Sequence, residues 1–332
     1  MKKLIGIGVL LLLSVAVTAW LSPAFLSGIN LFNLLQRVGM FGVLSLGATF
    51  VIITGGIDLS TGAVVCVVGC LLPYLVRDLA VPPVLALLLL LLLSALIGLW
   101  HGVLVVGVRL QPFVVTLCGL LLYRGIMRAF THDQSMGLKD SMQSMSWLAL
   151  GRVPLGGEFA LPVPMLLLLA LAALASVFLN RTVWGRHLYA LGRNEEAARL
   201  CGVATGRLTV LAYVLSSLLA GLGGLLFVLY VNSAEASSTG NFYELYAIAG
   251  AVLGGVALRG GEGSVLGVLL GVALLRVLQN AINLIADGDQ LADVVVGGVI
   301  LLGAGADELL RRFLRASRTS GRTPDSTPRP RS

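Results

Sequence analysis

Residues 55–62, GGIDLSTG, carry the most chemically distinctive side chains of the sequence, because they place a carboxylate and hydroxyls between two apolar stretches. The adjacent glycines Gly55 and Gly56 disfavour a continuous helix, and Asp58 or Ser60 can cap the helix that follows. A carboxylate in apolar surroundings costs about 2.5–3.5 kcal/mol or more unless it has partners. Three roles stay open for Asp58: a helix cap, a contact with a bound solute, or a gating contact.

A second segment, residues 192–203, combines helix-capping residues with charges in the order GRNEEAARLCGV. Asn194 is a favourable N-cap for a helix whose first residues, Glu195 and Glu196, lie at the positive end of its dipole. Gly202 then provides a C-terminal stop. The pattern predicts a helix of about two turns, which is too short to be stable alone in water and must dock on another surface.

Small residues on this short helix would let another surface approach closely; they are Ala197, Ala198 and Cys201. Two docking partners stay open at this point. The helix could lie on the rest of its own chain, or it could insert into a second protein.

Cysteine and histidine, the usual side chains of metal sites and disulfides, are scattered along the chain. The four cysteines are Cys66, Cys70, Cys118 and Cys201, and the three histidines are His101, His132 and His187. The first two cysteines lie one helical turn apart, but small apolar residues in a helix contact are the commoner reason for such a pair. Neither a metal-ligand spacing nor the ATP-binding motif G-x-x-x-x-G-K-[ST] occurs. We therefore expect this chain to bind no metal and no other cofactor.

The elements that must position these residues are membrane helices. The chain has 332 residues, of which 57% are hydrophobic and 12% charged, and its mean hydropathy is +0.96. A soluble domain of this size cannot hide so much apolar surface, whereas a bilayer removes that limit. The composition predicts an all-α, polytopic integral membrane protein of about ten transmembrane helices, some of them short or broken.

Ten apolar stretches of suitable length are separated by polar or glycine-rich segments. They cover residues 4–21, 38–54, 63–76, 84–106, 113–130, 161–179, 208–230, 245–258, 265–285 and 291–304. We expect a connector at 22–36, a longer polar loop at 131–160 and a basic loop at 180–207. Residues 1–310 then form one transmembrane domain, and the Ser/Pro/Arg-rich residues 311–332 form a disordered basic tail.

The distribution of positive charge predicts an orientation. With ten spans, sixteen of the 23 lysines and arginines lie on the side of both termini, six lie on the other side, and Arg276 lies inside the ninth span. Positive residues are retained in the cytoplasm, so both termini are expected there. The net charge of +7 is then a topology signal, and we expect no nucleic-acid partner.

The chain resembles a known family in several places. Glu196-Ala197-Ala198-x-x-x-Gly202 resembles the "EAA" coupling loop of ABC importer permeases, which forms a short helix in a groove of the ATP-hydrolysing subunit. GGIDLSTG resembles the GGIDLSVG signature of the ribose/galactose/xylose-type permeases, with Thr61 where valine is usual.

Weaker likenesses extend this resemblance over residues 22–308. Residues 111–117 (QPFVVTL), followed by Arg124-Gly125, and the glycine-rich residues 254–263 are similar to segments of the same family. Two positions depart from its pattern: Asn280 precedes an alanine where Asn-Gly is frequent, and the aromatic residue usual before the last span is absent near 292–293.

The resemblance implies the permease subunit of an ATP-driven importer for a sugar or sugar-like solute in the bacterial cytoplasmic membrane, with no catalytic site of its own. Its expected partners are a separate ABC ATPase that uses ATP and Mg²⁺, an extracytoplasmic solute-binding protein, and a second permease copy or close paralogue. The residues implied in coupling to the ATPase are Gly192, Asn194, Glu195, Glu196, Ala197, Ala198 and Gly202. The signature and possible translocation-route residues are Gly55, Gly56, Asp58, Ser60, Arg124 and Asn280.

Several alternatives stay open. A permease of the related branched-chain amino acid type would share most of these features. An ion-coupled carrier or channel would need acids deep inside its spans, whereas most acids here lie at loops and breaks. An integral-membrane enzyme would need a catalytic motif that the sequence lacks.

Arg124 and Arg276 also have two possible roles. They could snorkel or pair with Glu235 or Glu244, or they could line a polar solute route. In the second case three further polar residues could join them and Asn280, namely Asn232, Asn241 and Tyr243.

Overall fold

The computed structural model describes residues 2–138, 142, 144–156 and 159–285, together with positions 294, 297, 298 and 301. Within these residues, eight helices are long and apolar enough to cross a membrane, and strands are few and short. The predicted class, an all-α polytopic membrane protein, is therefore confirmed.

The helices of the described residues, in chain order, are α1 (Lys2–Leu21), α2 (Gly28–Ile53), α3 (Thr61–Pro73), α4 (Pro83–Gly107), α5 (Pro112–Thr131), α6 (Trp147–Leu150), α7 (Val163–Arg181), α8 (Val183–Arg193), α9 (Glu195–Leu200), α10 (Thr205–Val231), α11 (Tyr243–Leu253) and α12 (Val265–Ile285). A 3₁₀ turn, Pro23–Leu26, precedes α2, and a π-helical turn, Tyr74–Asp78, extends α3. The short members α6, α8, α9 and α11 connect or interrupt the eight long ones.

Two small antiparallel strand pairs lie outside the helices. Strand β1 (Met136–Gly137) pairs with β4 (Ser233–Ala234), and β2 (Arg152–Gly156) pairs with β3 (Phe159–Pro162). They give local order to the predicted polar loop 131–160 and join it to the segment after α10.

An exposed ion pair also lies at the start of this loop. Arg128 Nε donates to Asp133 Oδ1 over 2.8 Å. This hydrogen bond and the positive charge lower the pKa of Asp133 below its ordinary value of 3.8.

Helix α2 begins about ten residues earlier than the sequence predicted, so the expected connector 22–36 is wrong over most of its length. Ser27 caps the helix, since its Oγ accepts the backbone N–H of Asn30 over 3.3 Å. A polar residue of this segment is also satisfied inside the protein. Gln36 is buried and donates from Nε2 to the carbonyl of Ala149 over 2.6 Å.

The helix within the predicted eighth span, 245–258, is too short to cross a membrane by itself, and the residues between α10 and α11 complete the crossing back to the side of Gly192. Helix α11 has 11 residues and ends where Gly254 and Gly255 follow, the latter at φ +84°. At 1.5 Å per residue it is about 16 Å long, roughly half the thickness of a hydrocarbon core. The predicted tenth span, 291–304, and the predicted tail, 311–332, lie outside the described residues apart from isolated positions in the span.

Helix α2 forms the centre of the bundle and packs against α7, α10, α11 and α12. Small residues allow these approaches. A Cβ at Gly39 would lie 2.6 Å from the backbone nitrogen of Met165 in α7, and one at Gly47 would lie 3.0 Å from the carbonyl oxygen of Ser216 in α10. On its other faces α10 covers α3 and α4, and Gly56, Asp58 and Ser60 of the break between α2 and α3 are buried.

Candidate functional site

The break between α2 and α3 depends on its glycines. Helix α2 ends at Ile53, and Gly55 adopts φ +85°, which favours glycine because it has no Cβ. A Cβ at Gly56 would lie 2.9 Å from the hydroxyl of Tyr213 and 3.0 Å from Cγ1 of Val51. The two glycines therefore reverse the chain direction inside the bundle, as the sequence predicted.

Asp58 is held at this break by three hydrogen bonds, and it is only 2% exposed. Its Oδ1 accepts the backbone N–H of Ser60 over 3.0 Å and the Ser60 hydroxyl over 2.6 Å, while its Oδ2 accepts the Ser216 hydroxyl over 2.8 Å. The predicted need for partners is therefore met within the chain. Ser60 is the N-cap residue of α3, but its hydroxyl serves Asp58 and makes no capping bond. Asp58 thus bonds the N-cap residue and none of the N–H groups of the first turn of α3, and its solute and gating roles stay predictions.

A buried histidine extends this polar group to α4 and α5. His101 Nδ1 lies 3.4 Å from the Ser60 hydroxyl, and His101 Nε2 lies 2.8 Å from the hydroxyl of Tyr123. Gly119 on α5 makes room for this contact, because a Cβ there would lie 2.7 Å from His101 Nε2. The network Asp58–Ser60–His101–Tyr123 therefore ties the start of α3 to two neighbouring helices, and Ser216 ties it to α10.

Sequence reasoning missed three members of this network, His101, Tyr123 and Ser216. A histidine in a leucine-rich span was a usable signal, because an isolated imidazole is costly in an apolar helix. What the sequence did not contain was the pairing between helices that brings these residues to Asp58.

The predicted short helix in the basic loop is confirmed as α9. Asn194 caps it, since its Oδ1 accepts the backbone N–H of Ala197 over 2.9 Å, and both glutamates lie in the first turn. Gly202 follows the helix at φ +82°. The preceding α8 is capped in the same way by Thr182, whose hydroxyl accepts the backbone N–H of Gly185 over 3.1 Å.

The faces of α9 differ from the predicted small-residue face. Ala198 points inward and is 6% exposed, so it packs on its own chain. Ala197 and Cys201 are exposed, and Leu200 is 82% exposed. The surface that α9 offers to solvent is therefore built around a leucine, a residue that the sequence analysis did not select.

The end of α8 sits directly on both breaks of the membrane helices through four glycines, Gly55, Gly192, Gly260 and Gly261, which we call the glycine joint. A Cβ at Gly192 would collide with the carbonyl oxygen of Ile53 and the nitrogen of Gly261. Gly261 donates its N–H to that same carbonyl over 2.8 Å. Gly260 adopts φ +84°, and a Cβ there would lie 2.8 Å from both the Gly192 oxygen and the Gly55 nitrogen.

A tyrosine of α8 supports the joint from one side. The Tyr189 hydroxyl donates to the carbonyl oxygen of Gly263 over 3.0 Å, and burial raises the pKa of Tyr189. The loop that carries α9 is thus in contact with the end of α2 and with the turn between α11 and α12.

The remaining residues selected from the sequence are not gathered at one place. Arg124 Nη1 donates to the carbonyl oxygen of Ala236 over 3.1 Å. Asn280 exchanges amide hydrogen bonds of 2.9 and 3.0 Å with Asn30, at the end of the bundle away from the loop. Asn241 donates to the carbonyl oxygen of Ser237 over 2.9 Å.

Of the roles left open for the two membrane arginines, pairing with Glu235 or Glu244 does not occur within the described residues for either Arg124 or Arg276. Glu235 instead accepts from the hydroxyls of two nearby serines. Arg276 instead stacks on aromatic rings, and one edge of its guanidinium has no hydrogen-bond partner.

No cluster of three or more metal-ligating side chains occurs in the part of the chain that the structure describes. Cys66 and Cys70 are both buried and free. Cys66 lies 3.7 Å from the carbonyl oxygen of Ala236, which fits a helix contact.

Comparison with known proteins places this arrangement in a family. Residues 30–304 match the family described as "Branched-chain amino acid transport system / permease component". The chain belongs to this permease family. The resemblance noted in its motifs is thereby confirmed over most of its length.

Curated relatives of this permease family are similar over nearly their whole length. The Ribose import permease protein RbsC of Escherichia coli (strain K12) is 36% identical over 299 residues, which are 90% of this chain and 91% of that protein. The protein of the same name from Bacillus subtilis (strain 168) is 35% identical over 298 residues, 90% of each. The Fructose import permease protein FrcC of Rhizobium meliloti is 30% identical over 305 residues, 92% of this chain and 84% of that protein. No solved structure matches the chain.

Proposed function

We propose that this chain is the membrane-spanning subunit of an ATP-driven importer for a sugar or sugar-like solute, and that α9 couples it to a separate ATPase. One observation carries the coupling. A capped helix of six residues exposes Leu200, while the glycine joint beside it contacts the ends of the broken membrane helices. The relatives are named as import permeases for ribose, fructose and autoinducer 2, and these names support a sugar or sugar-like solute.

The proposed coupling runs through rigid contacts. Closure of an ATPase pair pushes on α9, and α8 transmits the displacement to Gly192. Because Gly192 touches the backbone of Ile53 and Gly261 with no side chain between them, the ends of α2 and of the α11–α12 turn move with it. Packed elements that have two arrangements transmit such displacements well.

The polar network holds the start of α3 in place while the end of α2 moves. Asp58 is bonded to Ser60 and Ser216, and His101 connects the same group to α4 and α5. The start of α3 therefore stays with α4, α5 and α10 when the end of α2 shifts. We infer that the flexible point is the Gly55-Gly56 turn.

The wider assembly follows from the same proposal. A separate ATPase supplies ATP and Mg²⁺ chemistry, an extracytoplasmic binding protein delivers the solute, and a second permease copy or close paralogue completes the route. The chain lies in the bacterial cytoplasmic membrane with both termini in the cytoplasm, as its charge distribution predicts. In this proposal the chain has no enzymatic activity of its own.

A branched-chain amino acid is the second candidate solute, since the description of the family names it. The two candidates are separated by uptake of labelled ribose and labelled leucine in cells that express the complete transporter with and without this chain. Gene-dependent import of ribose supports the sugar proposal. Gene-dependent import of leucine without import of ribose would favour the branched-chain amino acid instead.

Coupling is tested by a matched pair of variants on the same side of the bundle. Leu200→Glu places a charge on α9, whereas Leu258→Glu places one at another exposed leucine, close to the glycine joint. We expect the ATPase to co-purify in mild detergent with the wild type and with Leu258→Glu, but not with Leu200→Glu. Equal recovery of the ATPase with all three proteins would reject α9 as its docking site.

A further inference from the structure

Arg276 of α12 is a cation in an unusual environment. It is 6% exposed, and its guanidinium carbon lies 3.3 Å from the centre of the Phe41 ring and 5.1 Å from that of Tyr246. Its Nη1 donates to Gln279. Its Nε and Nη2 have no hydrogen-bond partner, and no carboxylate pairs with it in the described residues.

The two unpartnered nitrogens are the side-on edge of the guanidinium. This edge presents two parallel N–H donors, which bind a pair of adjacent oxygens such as those of a carboxylate or a vicinal diol. Stacking on aromatic rings stabilises the faces of the cation but leaves the edge unused. A buried polar group of this kind normally has partners, so the free edge points to a ligand.

Aromatic rings surround the same position. Phe41 makes edge contacts with Phe227, Tyr243 and Tyr246 at centroid distances of 5.0, 4.9 and 6.0 Å. Ser45, one turn from Phe41 on α2, also has an unpartnered hydroxyl. Aromatic faces pack on apolar C–H surfaces, while hydroxyls and a guanidinium serve oxygens. Sugars combine both kinds of surface.

The cluster lies toward the end of the bundle that faces away from α9. Phe227 is four residues before the end of α10 at Val231, and Asn280, one turn beyond Arg276, bonds to Asn30 near the start of α2. A solute delivered from outside would therefore reach this cluster before it reached the glycine joint.

We propose that the free edge of Arg276 and the surrounding rings form a solute site on the translocation route, and that the edge binds a vicinal diol of a sugar that includes its 2-hydroxyl. The proposal rests on the function proposed above for its solute class. The site is closed in this structure, and an outward-open arrangement of α2, α11 and α12 exposes it.

Access to the site is tested without knowing the solute. In a chain whose exposed cysteines are replaced by serine, Arg276→Cys is treated in cells with the impermeant reagent sodium (2-sulfonatoethyl) methanethiosulfonate. Leu275→Cys is the matched control, because Leu275 is the buried neighbour on the same helix. We expect position 276 to react about tenfold faster or more, as a buried control stays protected from solvent. Equal, slow reaction at both positions overturns the proposal, whatever solute the transporter carries.

Recognition of a diol that includes the 2-hydroxyl is tested by transport of ribose and 2-deoxyribose in vesicles that contain the whole transporter, because 2-deoxyribose lacks that hydroxyl and keeps the other ring hydroxyls. Arg276→Lys keeps the charge but loses the fork, so kcat/KM for ribose should fall about tenfold or more while that for 2-deoxyribose changes little. The same binding protein is present in every assay. Its preference for one sugar therefore cancels when, for each sugar, kcat/KM of Arg276→Lys is divided by kcat/KM of the wild type. The control is Arg152→Lys, since Arg152 stacks on Phe32 at 4.3 Å in another part of the protein.

The outcomes separate the two proposals. Equal losses for both sugars in Arg276→Lys, or no loss, overturn the assignment of the edge to a diol that includes the 2-hydroxyl. If the wild type imports neither sugar, the proposed solute class has failed for pentoses, and the access experiment still decides whether Arg276 lines a route.

Discussion

Gly192→Ala tests whether the glycine joint transmits motion. The new Cβ would collide with the Ile53 carbonyl oxygen and the Gly261 nitrogen, which already bond to each other over 2.8 Å. Both atoms belong to the backbone, so no rotamer change relieves the overlap. The end of α8 must move away, or the Gly261–Ile53 hydrogen bond must break.

The size of the effect follows from these two terms. Overpacking of a close contact costs about 1–3 kcal/mol, and loss of a backbone hydrogen bond costs about 0.5–1.5 kcal/mol. If the free energy of the arrangement in which α8 contacts Ile53 and Gly261 changes by about 1–3 kcal/mol, the population of that arrangement changes by roughly 5- to 150-fold. We therefore expect solute import per ATP hydrolysed to fall at least about fivefold, while basal ATP hydrolysis persists.

The assay is import and ATP hydrolysis measured together in vesicles that contain the whole transporter. Gly107→Ala is the control, because Gly107 ends α4 on the same side and a Cβ there meets only Val103 Cγ1, at 3.9 Å. It should behave as the wild type. If the Gly192→Ala and Gly107→Ala proteins import equal amounts of solute per ATP hydrolysed, the glycine joint does not transmit motion.

Three further predictions concern the break, an exposed ion pair and the topology. Asp58→Ala removes the acceptor of three hydrogen bonds, and each donor left without a partner costs about 1–3 kcal/mol. A double-mutant cycle with Ser216→Ala, measured by unfolding in detergent, should show a coupling energy of about 0.5–3 kcal/mol. Strictly additive effects of the two substitutions would contradict the network. The pKa of Asp133 is lowered by its arginine partner, so its stabilisation is present above the ordinary value of 3.8 and is lost as the pH falls through the lower folded value. Asp133→Asn should therefore reduce the melting temperature slightly at neutral pH and low salt, and have no effect at strongly acidic pH. Reporter fusions at Gly137 and Gly321 should report opposite sides of the membrane, and the same side for both would refute the ten-span topology.

Local chemistry made α9 and the α2–α3 break predictable from the sequence. Asn194 and Gly202 act on their immediate neighbours, and Gly55 adopts the positive φ that its residue type favours. Such features depend on a few consecutive residues, so a linear pattern contains them. The long apolar helices were predictable for the same reason, because length and composition are local properties.

Features that depend on tertiary contacts were not predictable. Gln36 looked like a loop residue until the Ala149 carbonyl supplied a partner. Ala198 looked like a docking residue, whereas it is buried against its own chain. The contact of His101 with Ser60 joins residues 41 positions apart, and no pattern along the chain specifies it.

The central claim, that α9 docks on an ATPase subunit, is tested most directly by photo-crosslinking from position 200. A benzophenone amino acid replaces Leu200 in one protein and Leu258 in a control, and cells expressing the complete transporter are irradiated. The account predicts an adduct between this chain and the ATP-hydrolysing subunit from position 200 and none from position 258. No ATPase adduct from position 200, or equal adducts from both positions, would contradict it.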